Sequence, residues 1–451
     1  MNVPETRYAR TPDDLDLAYQ VFGDGPHDLV VIHPYVSHVE IYWELPGFER
    51  WMTGLSINAR VINFDKRGTG LSDRFTSVPD LETRMDDVRT LLDAAGMERA
   101  SLLAWGDGAA LAVLFAATYP ERTCSLILYG GAIRNAWAPD YPWGQSPAEF
   151  ERDERKTERA WGAPILADGL VEVMMGDHLG PVAHDDAFLT WMTRWMRYAM
   201  TPASSTTFGR VWYGTDVRHV LGSVQVPTAV MFRPGGDDPA QQRDIADRIM
   251  GARTVELSAG PWPPFLGDVD ELNDAVRAFL DDVRADEQEL DRVLATVLFT
   301  DIVDSTAIGA AMGDRSWREV REQHDRVIRA SLGRFRGREI KTLGDGFLAT
   351  FDGPARAVRC AARIVEGVRP LGIEIRAGLH TGEIQRDGDD VAGVAVAIGA
   401  RIGAKAHPSE VLASQTVKDL VVGSDLVFED AGEHELKGVP DRWHLYRVVP
   451  R

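Results

Sequence analysis

Two aspartates carry the clearest chemistry in this 451-residue chain. Asp345 sits between two glycines in Lys341-Thr-Leu-Gly-Asp-Gly-Phe347, and Asp301 follows the apolar run Val297-Leu-Phe-Thr300. Glycine tolerates positive φ at no steric cost, so Gly344-Asp345-Gly346 reads as a hairpin turn between apolar strands. That turn leaves a carboxylate exposed, with room for a ligand to approach. The positioning elements read in order as a strand ending at Asp301, a long amphipathic helix from about Arg315 to Phe335, and the hairpin. A helix from Pro354 to Val368 and a strand from Ile373 to Leu379 come next. A turn and short strand (Thr381 to Ile384) and a helix from about Val394 to Ala406 complete the pattern. The order β-α-β-β-α-β is ferredoxin-like. It lets the first strand lie beside the hairpin, so that both carboxylates converge at one end of the sheet. Such a pair suits hard divalent cations that also bind substrate phosphates, and two such ions activate an attacking oxygen and stabilise a leaving one.

Composition bounds the partners. The chain is 44% apolar with a net charge of −20, a balance that disfavours nucleic acid, since phosphate binding needs a basic patch. Two cysteines, Cys124 and Cys360, make no disulfide framework or metal knuckle. The N-terminus lacks a basic-then-apolar signal pattern, and the longest apolar run, Ala109 to Thr118, is too short to span a bilayer. A cytoplasmic protein with no membrane span is expected. The length predicts two or three domains.

Upstream, residues 1–283 alternate short apolar strands with helical patterns, as expected for an α/β domain with a parallel sheet covered on both faces. Between about 131 and 215 the alternation stops, and a segment rich in charge and aromatics reads as a helical cap over the C-terminal strand ends. This region resembles the α/β-hydrolase family. The resemblance rests on His33-Pro34, on Phe64-Asp-Lys-Arg-Gly-Thr-Gly70, and on Ala104-Trp-Gly-Asp-Gly108 in the form of a nucleophile elbow. The loop from Leu257 to Asp268 corresponds to the one that carries the family's histidine.

The hydrolytic chemistry does not carry over. An elbow needs small residues two positions either side of the nucleophile, which puts Gly106 where serine should be. Shifting the nucleophile to Asp107 would put Trp105 at a small position. Trp262 falls where the histidine should be, while the acid survives as Asp237 or Asp238. An acid without base or nucleophile does no acyl transfer. A degenerate pocket lined by His33, Tyr35, Trp105, Asp107 and Trp262 is therefore expected, and its two substituted aromatics point to a small apolar ligand or a filled cavity. A charged stretch without glycine or proline, 284–293, reads as a helical linker to residues 294–451.

Residues 294–449 resemble the catalytic domain of class III nucleotide cyclases of the actinobacterial kind. Six ordered pieces carry the resemblance: Phe299-Thr-Asp-Ile302, Lys341 to Phe347, Ala377-Gly-Leu-His-Thr-Gly-Glu383, Asp390-Val-Ala-Gly393, Ala400-Arg401 and Leu436-Lys-Gly438. The resemblance implies that Asp301 and Asp345, with the Ile302 carbonyl, hold two Mg²⁺ or Mn²⁺ ions. It implies that Lys341 and Asp390 read the purine, that Arg401 stabilises the α-phosphate in the transition state, and that Lys437 binds the terminal phosphates. A lysine donor with a carboxylate acceptor suits adenine and reverses guanine's pattern, so ATP is the expected substrate. Ala397 stands where many members have a ribose-positioning asparagine, which predicts reduced turnover. In this family the site lies between two domains, so one such domain per chain implies a head-to-tail homodimer. The leading reading is an adenylate cyclase with a hydrolase-like regulatory or scaffold domain. Two other readings stand beside it: an esterase using Asp107, and a weak pseudo-cyclase that binds nucleotide.

Overall fold

The computed structural model describes residues 3–74, 79–161, 179, 182, 185–290, 292–388 and 390–449. The chain divides into two compact units, 1–284 and 285–451. In the first, β1 (Arg7–Arg10), β2 (Asp16–Phe22), β3 (His27–Ile32), β4 (Ala59–Phe64), β5 (Ala100–Gly106), β6 (Thr123–Gly131), β7 (Thr228–Phe232) and β8 (Arg253–Glu256) form one sheet in the order β1-β2-β4-β3-β5-β6-β7-β8. The six strands β3 to β8 pair in parallel, as their apolar runs predict. The antiparallel pair β1 and β2 was not foreseen, because Asp16, Gln20 and the partly exposed Val21 and Phe22 blur the apolar run of β2.

Helices α1 (Pro46–Ser56), α2 (Leu81–Ala94), α3 (Gly108–Thr118), α4 (Pro147–Ala160), α5 (Asp186–Ala199), α6 (Pro202–Gly214), α7 (Pro239–Asp247) and α8 (Val269–Leu290) are the α-helices among this unit's described residues. Two apolar cores lie on the two faces of the sheet. One is built around Trp51, Phe48 and Trp105, the other around Val30, Phe64 and Phe115. Helices α4 to α6 lie between β6 and β7, within the segment read as a cap; its residues 162–178 lie outside the described residues. The chain moves from β3 out to β4 and returns to β5 on the other side of β3, so the loops after β3 and β5 open at a switch point where such sheets bind ligands. The helix expected across the linker ends at Leu290. Arg292 and Val293 already belong to the next strand, a correction to the 284–293 helical reading.

The second unit contains β9 (Arg292–Ile302), α9 (Ser305–Met312), α10 (Asp314–Phe335), β10 (Arg338–Leu343), β11 (Gly346–Phe351), α11 (Pro354–Val368), β12 (Ile375–Asp387), β13 (Asp390–Ala392), α12 (Val394–Lys405), β14 (Val411–Ser414), α13 (Gln415–Leu420), β15 (Val427–Glu435) and β16 (Arg442–Val449). The sheet runs β10-β11-β9-β12-β14-β16-β15. Its first four strands have the ferredoxin-like order, with β9 antiparallel to both β11 and β12. The turn expected near Thr381 does not form, and β12 runs through it. Gly378 and Gly382 serve close packing instead. A Cβ on Gly378 would meet the Gly403 amide at 2.1 Å, and one on Gly382 would meet the Ala395 methyl at 2.8 Å, both on α12. The core between α10, α11 and the sheet gathers Ile328, Leu332, Phe347, Ile364 and Ile375.

Candidate active site and a hydrolase-type cavity

Strand register sets the carboxylate pair in the second unit. Phe347 on β11 pairs with Thr300 on β9, and the Phe347 amide donates to Thr300 Oγ1 at 3.2 Å. This register carries the hairpin tip to the end of β9 where Asp301 sits. A Cβ on Gly346 would lie 2.1 Å from the Thr300 carbonyl oxygen, so only glycine allows the approach. Gly344 takes φ +74°, as the turn reading requires, and its carbonyl accepts from Arg321 of α10 at 2.5 Å. Asp301 and Asp345 thus occupy the same end of neighbouring strands. Among the described residues no cluster of three His, Cys, Asp or Glu side chains is present. A pair of carboxylates at one strand end is the donor chemistry that would suit a hard cation whose other ligands come from water and phosphate.

The sequence reading missed Arg376. It stands opposite Asp301 in the β9–β12 register, and its Nε and Nη2 donate to Asp301 Oδ2 at 2.9 and 2.5 Å. Both side chains are a little over one third exposed. The signal was the strand parity of Ile375-Arg-Ala-Gly378, which becomes informative only once the register is known.

The remaining residues fall into two further pairs. Lys341 on β10 donates from Nζ to Asp390 Oδ2 on β13 at 2.6 Å, and this contact holds the Asp390 carboxyl below its ordinary range. Arg401 lies on the exposed face of α12, one turn beyond Ala397, and its Nε donates to the Lys437 carbonyl at 3.3 Å. No hydrogen bond among the described residues joins either pair to the Asp301–Arg376 pair. His380 is buried, bonds Ser414 Oγ through Nδ1 at 2.9 Å, and is driven down to about 4 by burial.

In the first unit Gly106 takes φ +59° at the strand-to-helix turn. This is the strained position of an elbow, so the register that puts Gly106 at the nucleophile site matches the backbone. Asp107 follows at φ −71° and leads into α3. Both of its carboxylate oxygens accept from the Tyr35 amide at 3.1 Å. Burial raises its pKa, with Lys66 and Arg84 opposing the rise. A Cβ on Gly106 would meet the Trp262 ring at 2.8 Å, so Trp262 occupies the space that a side chain at position 106 would need. Trp262 packs on Trp105 with ring centroids 5.1 Å apart and donates to the Gly130 carbonyl at 3.2 Å.

His33 departs from its expected place in the pocket wall. It is sealed behind the wall, 1% exposed. Its Nδ1 accepts from Trp105 Nε1 at 3.1 Å, so its proton resides on Nε2, which donates to Asn63 Oδ1 at 2.6 Å. Burial lowers it to about 4 and keeps it neutral. The reason is the bulk of Trp105, which stands between His33 and the cavity. Tyr35, Trp105, Gly106, Asp107, Asp237 and Trp262 do line a cavity of about 380 Å³. Asp237 Oδ2 accepts from the Arg233 amide at 3.2 Å, and burial raises its carboxyl to about 7. Asp238 instead caps α7, accepting from the Ala240 and Gln241 amides.

Comparison with known proteins separates the two units. Residues 286–449 match the model of the adenylate and guanylate cyclase catalytic domain. A Rhizobium meliloti (strain 1021) protein named "Putative adenylate cyclase 3" is 28% identical over 37% of this chain, and the chain spans only 30% of that relative's length. An AB hydrolase superfamily protein of Bacillus subtilis (strain 168) is 25% identical over 55% of this chain and 88% of its own length. The crystal structure of a bromoperoxidase from Bacillus anthracis superposes with a TM-score of 0.54 at 19% identity, covering 62% of this chain and all of that one. The first unit therefore has the α/β-hydrolase fold, and the second carries a cyclase-type catalytic domain. Among the described residues no helix is long and apolar enough to cross a membrane.

Proposed function

We propose that the chain is an adenylate cyclase, forming cyclic AMP and pyrophosphate from ATP, with a non-hydrolytic ligand-binding or scaffold unit at its N-terminus. The observation that carries the reading is the hairpin tip docked on β9, which brings Asp345 to the strand end occupied by Asp301 within a matched cyclase domain. Asp301, Asp345 and the Ile302 carbonyl would hold two Mg²⁺ or Mn²⁺ ions, which supply charge stabilisation at the reacting oxygens. Lys341 donates to adenine N1, and Asp390 accepts from its N6 amino group. Their existing ion pair holds the two at one another's reach. Arg401 neutralises charge on the α-phosphate as the 3′-oxygen bonds to phosphorus and the bridging oxygen leaves with pyrophosphate. Lys437 binds the terminal phosphates. Cation binding at Asp301 competes with Arg376 for the same carboxylate oxygen.

The Lys341–Asp390 and Asp301–Arg376 pairs make no bond to one another, which suits a site completed by a second copy. In that head-to-tail homodimer each hairpin serves two sites, Asp345 in one and Lys341 in the other. The test is mixed assembly. Lys341→Ala and Asp345→Ala chains, each inactive with Mn-ATP, should form a heterodimer with one intact site and about half of wild-type activity per dimer. A verified heterodimer without activity refutes the shared-hairpin assignment. A folded wild-type dimer that makes no cyclic AMP refutes the cyclase reading.

A further inference from the structure

The cavity of the first unit is more selective than a vestigial pocket needs to be. Its described lining contains five carboxylates and no lysine, arginine or histidine. Three of those carboxylates are engaged with protein groups: Asp153 with Arg152, Glu154 with Arg210, and Asp238 with the α7 amides. Asp107 is held by the Tyr35 amide and offset by Lys66 and Arg84. Asp237 differs. Its Oδ2 takes the Arg233 amide, while its Oδ1 makes no hydrogen bond among the described residues and stands in front of Gly130, where a Cβ would meet it at 2.6 Å.

The same cavity lining holds a second acceptor without a protein partner. Gln242 is 2% exposed and lines the cavity. Its Nε2 donates to the Gly131 carbonyl at 3.1 Å, which fixes the orientation of the amide, and its Oε1 has no partner. A buried acceptor without a donor is unfavourable unless something supplies one. Asp237 thus stands at Gly130 and Gln242 at Gly131, consecutive residues at the end of β6, and each keeps an oxygen without a protein donor among the described residues. The nearby wall is aromatic, with the Trp262 and Trp105 rings in contact. Acceptors beside ring faces select an organic cation. The unpaired amide oxygen adds a demand for an N–H donor that a quaternary ammonium cannot meet.

We propose that this cavity binds a protonated primary or secondary amine with an apolar or aromatic body, donating to Gln242 Oε1 and Asp237 Oδ1 while its body lies against Trp105 and Trp262. The assignment rests on the reading of this unit as a ligand-binding rather than hydrolytic module, and it departs from the small apolar ligand or filled cavity expected from sequence. An apolar molecule would leave both acceptors unpaired. The cavity's volume of about 380 Å³ suits a molecule of roughly ten heavy atoms.

Isothermal titration of the full chain at pH 8 with four probes of one shape tests it: phenethylamine, its N,N,N-trimethyl analogue, 2-phenylethanol and 3-phenylpropionate. Phenethylamine should bind about tenfold or more tighter than the alcohol and the trimethyl analogue, one charge-assisted hydrogen bond being worth that much, and the carboxylate should not bind. Asp237→Asn and Gln242→Leu should each weaken amine binding about tenfold, with far-ultraviolet dichroism and tryptophan fluorescence unchanged. Equal binding of amine and alcohol, no binding of any probe, or full amine affinity in both variants overturns the proposal. Turnover of p-nitrophenyl acetate, measured separately, would overturn the non-hydrolytic reading without bearing on amine selectivity.

Discussion

Replacing Asp237 with asparagine should stabilise the first unit at alkaline pH and not at acid pH. Burial between Gly130, Trp262 and the β7–α7 turn raises the Asp237 carboxyl from 3.8 to about 7, and only one oxygen is satisfied, by the Arg233 amide. A raised acid contributes stability that is fully present below its unfolded value and is lost as pH climbs through its folded value. The window therefore runs from 3.8 to about 7. Above it the native state holds a charge it would rather not bear, at a cost of up to about 4 kcal/mol at about 1.4 kcal/mol per pH unit. The carboxyl faces a cavity that admits water, which screens the charge and brings the expected cost to about 1–3 kcal/mol. Asparagine has the same shape and keeps an acceptor for the Arg233 amide but cannot ionise. Thermal unfolding of both proteins should show the variant melting about 2–12 °C higher at pH 8 and within about 2 °C of wild type at pH 4.5, given a slope of about 2–4 °C per kcal/mol for a unit of this size. An equal shift at both pH values would show that packing, not the buried charge, sets the difference. A variant less stable than wild type at pH 8 would refute the electrostatic reasoning outright.

Three further expectations concern other sites. Gly106→Ser should give no ester hydrolysis and should destabilise the first unit by about 2–4 kcal/mol, since its Cβ meets the Trp262 ring at 2.8 Å and the backbone is at φ +59°; Trp262→His in the same chain should recover part of that loss in a melting experiment. Arg376→Ala should change the melting of the second unit by less than about 1 kcal/mol, because both partners are over one third exposed, while raising Mn²⁺ affinity in calorimetry several-fold by freeing Asp301; unchanged affinity would mean that the ion pair does not compete with the cation. Ala397→Asn should raise the kcat of cyclic AMP formation several-fold with little effect on stability, since the position is exposed one turn before Arg401; a fall in kcat would remove the ribose-positioning account.

Local pattern and spacing made much of this molecule legible. Strands β3 to β7 of the first unit are built on apolar runs, as strands buried on both faces must be, whereas the edge strand β8 (Arg253-Thr-Val-Glu256) is mostly exposed. The Gly344-Asp345-Gly346 turn declared itself because glycine alone relaxes φ there, and the degenerate elbow declared itself through the residue sizes around Gly106. One misreading fell where glycine had a second use. The turn expected near Thr381 is continuous strand, and Gly382, like Gly378 earlier in β12, lets α12 pack against it, a close approach that leaves no mark in a strand's own pattern.

By itself, the sequence determined most of the elements and their order, the two aspartates, and the glycine and tryptophan at positions 106 and 262, because these depend on residue type and short-range spacing. Only the tertiary structure decided which groups meet across long separations. Arg376 reaches Asp301 through strand register, and Lys341 reaches Asp390 across forty-nine residues. His33 is walled off by Trp105, and Gln242 is left with an unpaired oxygen beside Asp237. Each of these depends on side chains from different elements meeting in three dimensions, where burial and hydrogen bonding change what a residue can do without changing what it is.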